Sequence, residues 1–322
     1  MLAVYVSKPA PDDPLSALEV GERPEPEPRA GWTTVTVRAA SLNHHDVFSL
    51  RGVGLSEDRM PMILGCDAAG VDEHGNDVIV HAVVSDPSWS GDETLDPKRS
   101  LLSERHQGTL AEKVLVPARN VVPKPDELTF AEAACLSTAW LTAYRMLFTK
   151  SGVHPGDSIL VQGASGGVAT ALIALASAAG IRVWATGRTE DKRALATELG
   201  AHATFESGAR LPERVDAVFE TVGEATWAHS LKSLKPGGRV VVSGSTSGAT
   251  PSADLQRVFF LQLSVIGSTM GTRDELGRLI RFCQTSGVRP RIDVEMPLAT
   301  ARDGFARMID GQTGGKIVFA VA

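Results

Sequence analysis

Apolar and polar positions alternate at period two through three early runs of the chain, WTTVTVRAASL at 32–42, NDVIVHAVV at 76–84 and AEKVLVP at 111–117. Such valine- and threonine-rich alternation, punctuated by proline and glycine, predicts half-buried β-strands. After Lys124-Pro125 the period changes. Small apolar residues at helical spacing predict a helix over 129–147, and strands then alternate with helices. The predicted strands are SILVQG (158–163), RVWAT (182–186), VDAVFETVG (215–223), GRVVVSG (238–244) and LSVIGSTM (263–270). The helices between them are VATALIALASAAG (168–180), DKRALATELG (191–200) and TWAHSLKSL (226–234). Short apolar strands each followed by a helical stretch predict βαβ units and a parallel sheet. RDELGRLIRFCQTSG reads as one more helix and GGKIVFAVA as a closing strand, while Gly200 and the pair Gly237-Gly238 read as helix stops. No internal repeat or low-complexity tract interrupts this pattern.

Composition narrows the picture. At 322 residues and about 150 residues per domain, two domains are expected. Hydrophobic residues at 43% and charged residues at 22% exclude a disordered chain. Twelve of the 18 prolines precede residue 126, so the β-rich first third is also rich in loops, the longest being the polar stretch 85–108. Aromatics make up only 5%, so Ala, Val and Leu must fill the core. A net charge of −6 argues against nucleic acid or an anionic membrane as partner. The N-terminus lacks the basic head and apolar run of a secretory signal. The uncharged stretch 158–181 is long enough to span a bilayer, but Gln162, Gly163, Gly166 and Gly167 break it into strand, turn and helix. Cys66, Cys135 and Cys283 form no CxxC, which excludes a disulfide framework and a cysteine-rich zinc site and fits a reducing cytoplasm.

The strongest motif is VQGASGGVATALIALA at 161–176. A strand enters the turn Gly163-Ala164-Ser165-Gly166-Gly167-Val168 and a helix leaves it. Glycines let the backbone approach a pyrophosphate, whose charge the free N–H groups of the helix N-terminus stabilise. The alternative is a tight strand–helix turn of any α/β protein; the strand before and helix after favour a dinucleotide. The next strand ends Ala185-Thr186-Gly187-Arg188 without the acid that accepts from an NAD ribose. Gly187 leaves room and Arg188 and Lys192 offer charge for a 2′-phosphate, so NADP(H) is expected; Glu190 and Asp191 serve the helix dipole. Thr221, Val222, Gly244 and Ser245 close the following strands at their carboxyl ends, where such ligands lie.

With these residues placed, the chain resembles the medium-chain dehydrogenase/reductase superfamily, in its zinc-independent, quinone oxidoreductase-like branch. The resemblance runs nearly the whole length and rests on NHHD at 43–46, PMILGCDAAG at 61–70, GTLAEKVLVP at 108–117, AACLSTAWLTAY at 133–144 and the glycine turn. It implies an α/β fold: a Rossmann doubly wound parallel sheet (126–270) inserted in a GroES-like β-rich catalytic domain (1–125 plus 271–322). It further implies nicotinamide and substrate held between the domains, Thr142 and Thr269 on the nicotinamide side, and a homodimer joined through the last Rossmann strand.

Members with zinc use Cys, His and Cys or Glu where this chain has Asn43, Cys66 (beside Asp67) and Thr138. Asn and Thr are poor zinc ligands, and 85–108 lacks the four cysteines of a structural site, so no metal is expected. A rearranged site of His44, His45, Cys66 and Asp67 is the alternative. Without metal the resemblance implies hydride transfer from NADPH to a quinone or enone. Asn43 is then a donor to the developing oxyanion, Asp46 orients neighbours, and His44 or His45 supplies the proton. Phe48 and Trp140 wall the substrate pocket or simply pack in the core, with Cys66, Asp67 and Thr138 nearby. The family's enoyl-reductase tyrosine is missing, its positions holding Phe48 and Val53, and the only tyrosines are Tyr5 and Tyr144. Lys316 reads as a solvated charge. Two other functions stand beside a small-molecule quinone or enone reductase: a zinc alcohol dehydrogenase with an altered site, and a non-enzymatic NADPH-binding relative.

Overall fold

The computed structural model describes residues 1–321; Ala322, the last residue of the expected catalytic segment, lies outside them. The chain forms two compact units. The first comprises residues 1–141, 270–285 and 292–321, and the second 142–269 and 286–291. The sequence-based boundary at 126 therefore sits earlier than the structural one, because the helix Phe130–Ala134 packs on strands of the first unit.

In the first unit the alternating run becomes the ten-residue strand Trp32–Ser41, whose valines face inward. It pairs antiparallel with Asp67–Asp72, Lys113–Pro117 and Lys316–Ala320. The C-terminal strand thus enters beside the first long strand, with Val318 opposite Ser41, which carries Lys316 to the residues following that strand. Asp77–Val80, Val121–Pro123 and Ile292–Pro297 complete this seven-stranded sheet. Its core includes Val35, Val37, Leu42, Leu64 and Val114, branched aliphatics as the scarcity of aromatics requires, together with Phe305. The stretch 85–108 is mostly loop, with one short strand, Ser100–Leu101, paired to Val83–Val84.

The second unit is a six-stranded all-parallel sheet in the order Ala203–Glu206, Arg182–Gly187, Ser158–Val161, Val215–Glu220, Leu234–Val242, Ser264–Gly267. The crossovers are the helices Gly167–Ala178, Glu190–Glu198 and Glu224–Ser233. This is the doubly wound arrangement, and strand order reverses beside Ser158–Val161, where such sheets bind ligands. Gly200 ends its helix in the left-handed region (φ +105°), as expected. Gly237-Gly238 does not stop a helix. The preceding helix ends at Ser233, and the pair lies inside the strand Leu234–Val242, where pairing with Val215–Glu220 loses register. Gly237 at φ +76° supplies that irregularity. The expected helix over 129–147 is an interrupted helical run, with π-helical turns at Leu136–Trp140 and Arg145–Lys150.

Candidate functional site

Candidate residues fall into two groups, one in each unit. In the first unit, Asn43 ends an extended segment (φ −130°, ψ 158°) and opens the helix His44–Leu50 with a capping box. Its backbone N–H donates to Asp46 Oδ2 at 2.9 Å, and Asp46 Oδ1 accepts from Gly65 N at 2.9 Å. Gly65 must be glycine, since its φ is +101° and a Cβ there would lie 2.8 Å from Leu110 N. Burial pushes the Asp46 pKa up against the neighbouring His45 and those N–H groups. Asp46 therefore holds the NHHD segment to the Gly65 turn.

The side chain of Asn43 is committed within the fold. Its Nδ2 donates to Asp67 Oδ2 (2.9 Å) and Ser41 O (3.3 Å), and its Oδ1 accepts from Lys316 Nζ at 2.7 Å. With both amide hydrogens engaged, Asn43 organises a buried ion pair instead of offering a donor to substrate. Lys316 is not solvated: its side chain is 2% exposed and lies 3.3 Å from Asp67 Oδ2, bonding Leu42 O at 2.9 Å. The reading of Lys316 as a surface charge missed this because the antiparallel return of the last strand is invisible locally. Ser41 Oγ donates to Asp67 Oδ2 at 2.7 Å, while Asp67 Oδ1 is buried without a partner.

Cys66 is fully buried, donates to Leu102 O (3.2 Å) and lies 3.6 Å from Ser103 Oγ. Burial, with Asp46 nearby, raises its pKa well above the ordinary thiol value, so it stays a protonated thiol. His44 keeps an exposed face tilted against Phe48, with ring centroids 6.5 Å apart. Desolvation by surrounding protein, then the charges of Lys316 and Arg51, lower its pKa and keep it neutral. His45 is half-buried with a buried Nε2 that bonds nothing in the protein. Thr138 Oγ1 and Trp140 Nε1, on the π-helical turn, are likewise buried and unpartnered. Unsatisfied buried polar atoms of this kind are uncommon in folded proteins and concentrate at functional sites, as π-turns do.

Zinc does not fit these residues. Asn43 has its side chain committed to Lys316 and Asp67, and Asn and Thr138 are poor ligands for the ion. Among the described residues no three His, Cys, Asp or Glu side chains are grouped to hold a metal.

In the second unit, Gly163 turns at φ +80° with Val222 Cγ2 3.6 Å from where its Cβ would be. A Cβ on Gly166 would meet nothing within 4 Å, so the approach to the turn is open there. The helix Gly167–Ala178 begins at Gly166 without a side-chain cap, leaving N–H groups for an anion. Ala164 and Ser165 are buried within the turn, and Gly167 and Val168 are half-buried. A Cβ on Gly244 would lie 3.0 Å from Thr221 O, and one on Gly223 2.9 Å from Ser245 Cα, so these strand-end loops abut. Thr142 is buried and Thr269 exposed. A dinucleotide phosphate group fits this cradle of glycines and free amides.

Beneath the turn lies a polar network that sequence reasoning missed. Gly163 N donates to Thr186 Oγ1 (3.2 Å), Thr186 to Gln162 Oε1 (2.8 Å), and Gln162 Nε2 to Ser230 Oγ (3.0 Å) and His229 Nδ1 (2.9 Å). Ser230 donates to Glu220 Oε2 at 2.7 Å, and Glu220 Oε1 accepts from Val222 N (2.8 Å) and Gly223 N (3.0 Å). Thr186 therefore acts under the turn, as its complete burial requires. Gln162 and Glu220 each follow or end an apolar strand at its carboxyl end, the one signal that marked them.

Arg188 is exposed and Lys192 half-buried, with the Lys192 pKa lowered by burial and then by Arg188. The two cations thus share one rim. The space at Gly187 is not empty as expected: a Cβ there would lie 3.0 Å from Arg193 Cγ. Arg193, unremarked in the sequence, donates to Gly187 O (3.0 Å) and to Glu190 Oε2 (2.7 Å).

The glycine-cradled turn on the parallel sheet of one unit, and the buried unpartnered polar groups of the other, are features that an oxidoreductase with a dinucleotide cofactor needs. Residues 29–126 match the alcohol dehydrogenase GroES-like domain and 167–285 the zinc-binding dehydrogenase family. A crystal structure of an NAD-dependent alcohol dehydrogenase superposes with TM-score 0.93 at 33% identity, covering 100% of both chains. Quinone oxidoreductase of Mus musculus is 27% identical over 91% of this chain and 90% of its own. The 2-octenoyl-CoA carboxylase reductase CinF, solved with NADP and 2-octenoyl-CoA, has TM-score 0.91 at 25% identity, covering 99% of this chain and 87% of its own. The chain belongs to the medium-chain dehydrogenase/reductase superfamily.

Proposed function

We propose that this oxidoreductase uses NADPH to reduce a quinone or an α,β-unsaturated carbonyl without a metal ion. The observation that carries the reading is the state of the three positions where zinc relatives hold their metal. Asn43 is bound to Lys316 and Asp67, Cys66 is a buried thiol donating to Leu102 O, and the third position is Thr138. Likeness to a quinone oxidoreductase and to a reductase solved with NADP and an enoyl thioester supports the substrate class.

When bound, the nicotinamide supplies the hydride. The glycine turn at 163–168 and the amides of its helix hold the pyrophosphate, and Arg188 and Lys192 meet the 2′-phosphate. Hydride arriving at the β-carbon of an enone leaves negative charge on the carbonyl oxygen, which needs a donor and then a proton. His45 provides both at its unpartnered Nε2. Thr138 Oγ1 and Trp140 Nε1 are further donors for substrate oxygen, and Phe48 excludes water beside His44. His44, held neutral, is the poorer proton source.

The strand Ser264–Gly267 forms one edge of the parallel sheet, and Leu255, Phe259, Phe260 and Val265 near it are exposed. They are the surface through which two copies would join as a homodimer. No described helix is long and apolar enough to cross a membrane, and the side chains of Cys66, Cys135 and Cys283 are buried; a cytoplasmic location is part of the proposal.

The test is a rate screen of quinones and enones with NADPH and with NADH. NADPH-dependent turnover that falls about a hundredfold in His45→Phe, the lower end for a general acid, is expected. The names of related alcohol dehydrogenases favour a second reading, which about one zinc per chain, lost together with activity, would establish.

A further inference from the structure

Gly187 is a glycine of the cofactor region whose identity its backbone does not explain. Gly163 and Gly223 have φ of +80° and +92°, whereas Gly187 is absent from the left-handed positions. Its lack of a side chain serves a neighbour instead. A Cβ there would lie 3.0 Å from Arg193 Cγ and 3.3 Å from Arg193 N. The stem of Arg193 therefore fills the volume into which a strand-end acid would grow.

The guanidinium completes the arrangement. Nη1 donates to Gly187 O at 3.0 Å. Nη2 donates to Glu190 Oε2 at 2.7 Å and lies 3.8 Å from Glu206 Oε1. Glu206 is the pairing partner of Gly187 on the neighbouring strand. The Arg193 side chain is 14% exposed, so it is fixed by packing as well as charge. Glu190 and Glu206, two carboxylates near the end of the strand Arg182–Gly187, are thus drawn to one guanidinium.

We infer that Arg193 is a specificity-determining positioning residue. It excludes an acid at position 187 by volume and keeps Glu190 and Glu206 from accepting ribose hydroxyl hydrogens, leaving Arg188 and Lys192 to set the charge of the site. This inference rests on the reading that the site takes NADPH. It carries an unusual consequence: an acid placed at position 187 cannot serve NADH while Arg193 remains, because it would meet the Arg193 stem and pair with its guanidinium.

Equilibrium titration of NADPH and NADH, followed by nicotinamide fluorescence on the full-length protein, tests this with G187D, R193S, R193K and the double variant G187D/R193S. In R193S the preference for NADPH should fall about tenfold, the worth of one charge-assisted contact. R193K, which keeps the stem and one donor, should recover part of that preference. G187D alone should weaken NADPH without gaining NADH, and the double variant should bind NADH at least about tenfold more tightly than G187D. A G187D protein that takes NADH as well as the double variant does, or an R193S protein with wild-type preference, overturns the inference. Wild-type protein that prefers NADH refutes the NADPH reading alone. The coupling between positions 187 and 193 is then judged from melting temperatures, where R193S must restore what G187D loses and its failure to do so overturns the inference.

Discussion

Replacing Lys316 with Met strands the Asp67 carboxylate in the interior of the first unit. Lys316 and Asp67 side chains are 2% and 0% exposed, with Nζ 3.3 Å from Oδ2. The ammonium also bonds Leu42 O (2.9 Å) and Asn43 Oδ1 (2.7 Å), so three contacts disappear together. Asp67 keeps Ser41 Oγ (2.7 Å) and Asn43 Nδ2 (2.9 Å), which cannot neutralise it. Removing one partner of a buried ion pair typically destabilises by about 3–5 kcal/mol, because the remaining charge is uncompensated. For a domain of this size each kcal/mol moves the melting temperature by about 2–4 °C, so a fall of about 10 °C is expected. Calorimetry of K316M, D67N and D67N/K316M separates the contributions. The double variant, with neither charge, should be more stable than K316M by at least about 2 kcal/mol, since the penalty lies in the unpaired carboxylate. Loss of less than about 1 kcal/mol in K316M, or strict additivity of the two substitutions, would refute the pairing as described.

Other outcomes follow from the same geometry. G163A forces a side chain into φ +80° beneath the pyrophosphate turn and should weaken NADPH binding by about tenfold or more in a fluorescence titration, with substrate-pocket variants unaffected. His81, buried and bonded through Nε2 to Gly271 O at 2.9 Å, has its pKa lowered from 6.5 chiefly by burial. The unfolded chain then binds the proton more readily, so stability should rise with pH from the lowered folded pKa up to about 6.5 and be lost as pH falls; urea midpoints that stay flat across that range contradict this. NMR titration of His44 should give a midpoint below 6.5, moving upward in R51Q as one of its cationic neighbours is removed. In sedimentation the protein should run as the proposed homodimer and F260D or V265K as monomer, because both positions are exposed near the edge strand; a wild-type monomer contradicts the proposed dimer.

The cofactor half of the site was the more legible in sequence, for a physical reason. A glycine turn between strand and helix is a local device, complete within a few residues, so Gly163, Gly166 and the helix at Gly167 could be placed from their neighbours. Residues whose partners are distant could not. Lys316 meets Asn43 and Asp67 across 273 and 249 positions of chain, and only the antiparallel entry of the last strand joins them. Glu220 and Gln162 form their network through Ser230 on an adjacent helix. Gly187 reads locally as a gap but is a contact, since the helix that fills it begins just beyond. Several strands of five or six residues, Leu2–Val6, Leu18–Glu22 and Ile292–Pro297 among them, were not separated from loops, although the last two alternate apolar and polar positions.

The proposed reaction is NADPH-dependent, metal-free reduction. It is tested most directly by dialysing the protein against a strong chelator and measuring NADPH oxidation with a quinone and an enone beside NADH controls. The account predicts that turnover with NADPH survives chelation unchanged and exceeds that with NADH. Activity that disappears with the removal of about one zinc per chain, and returns when zinc is restored, would contradict it.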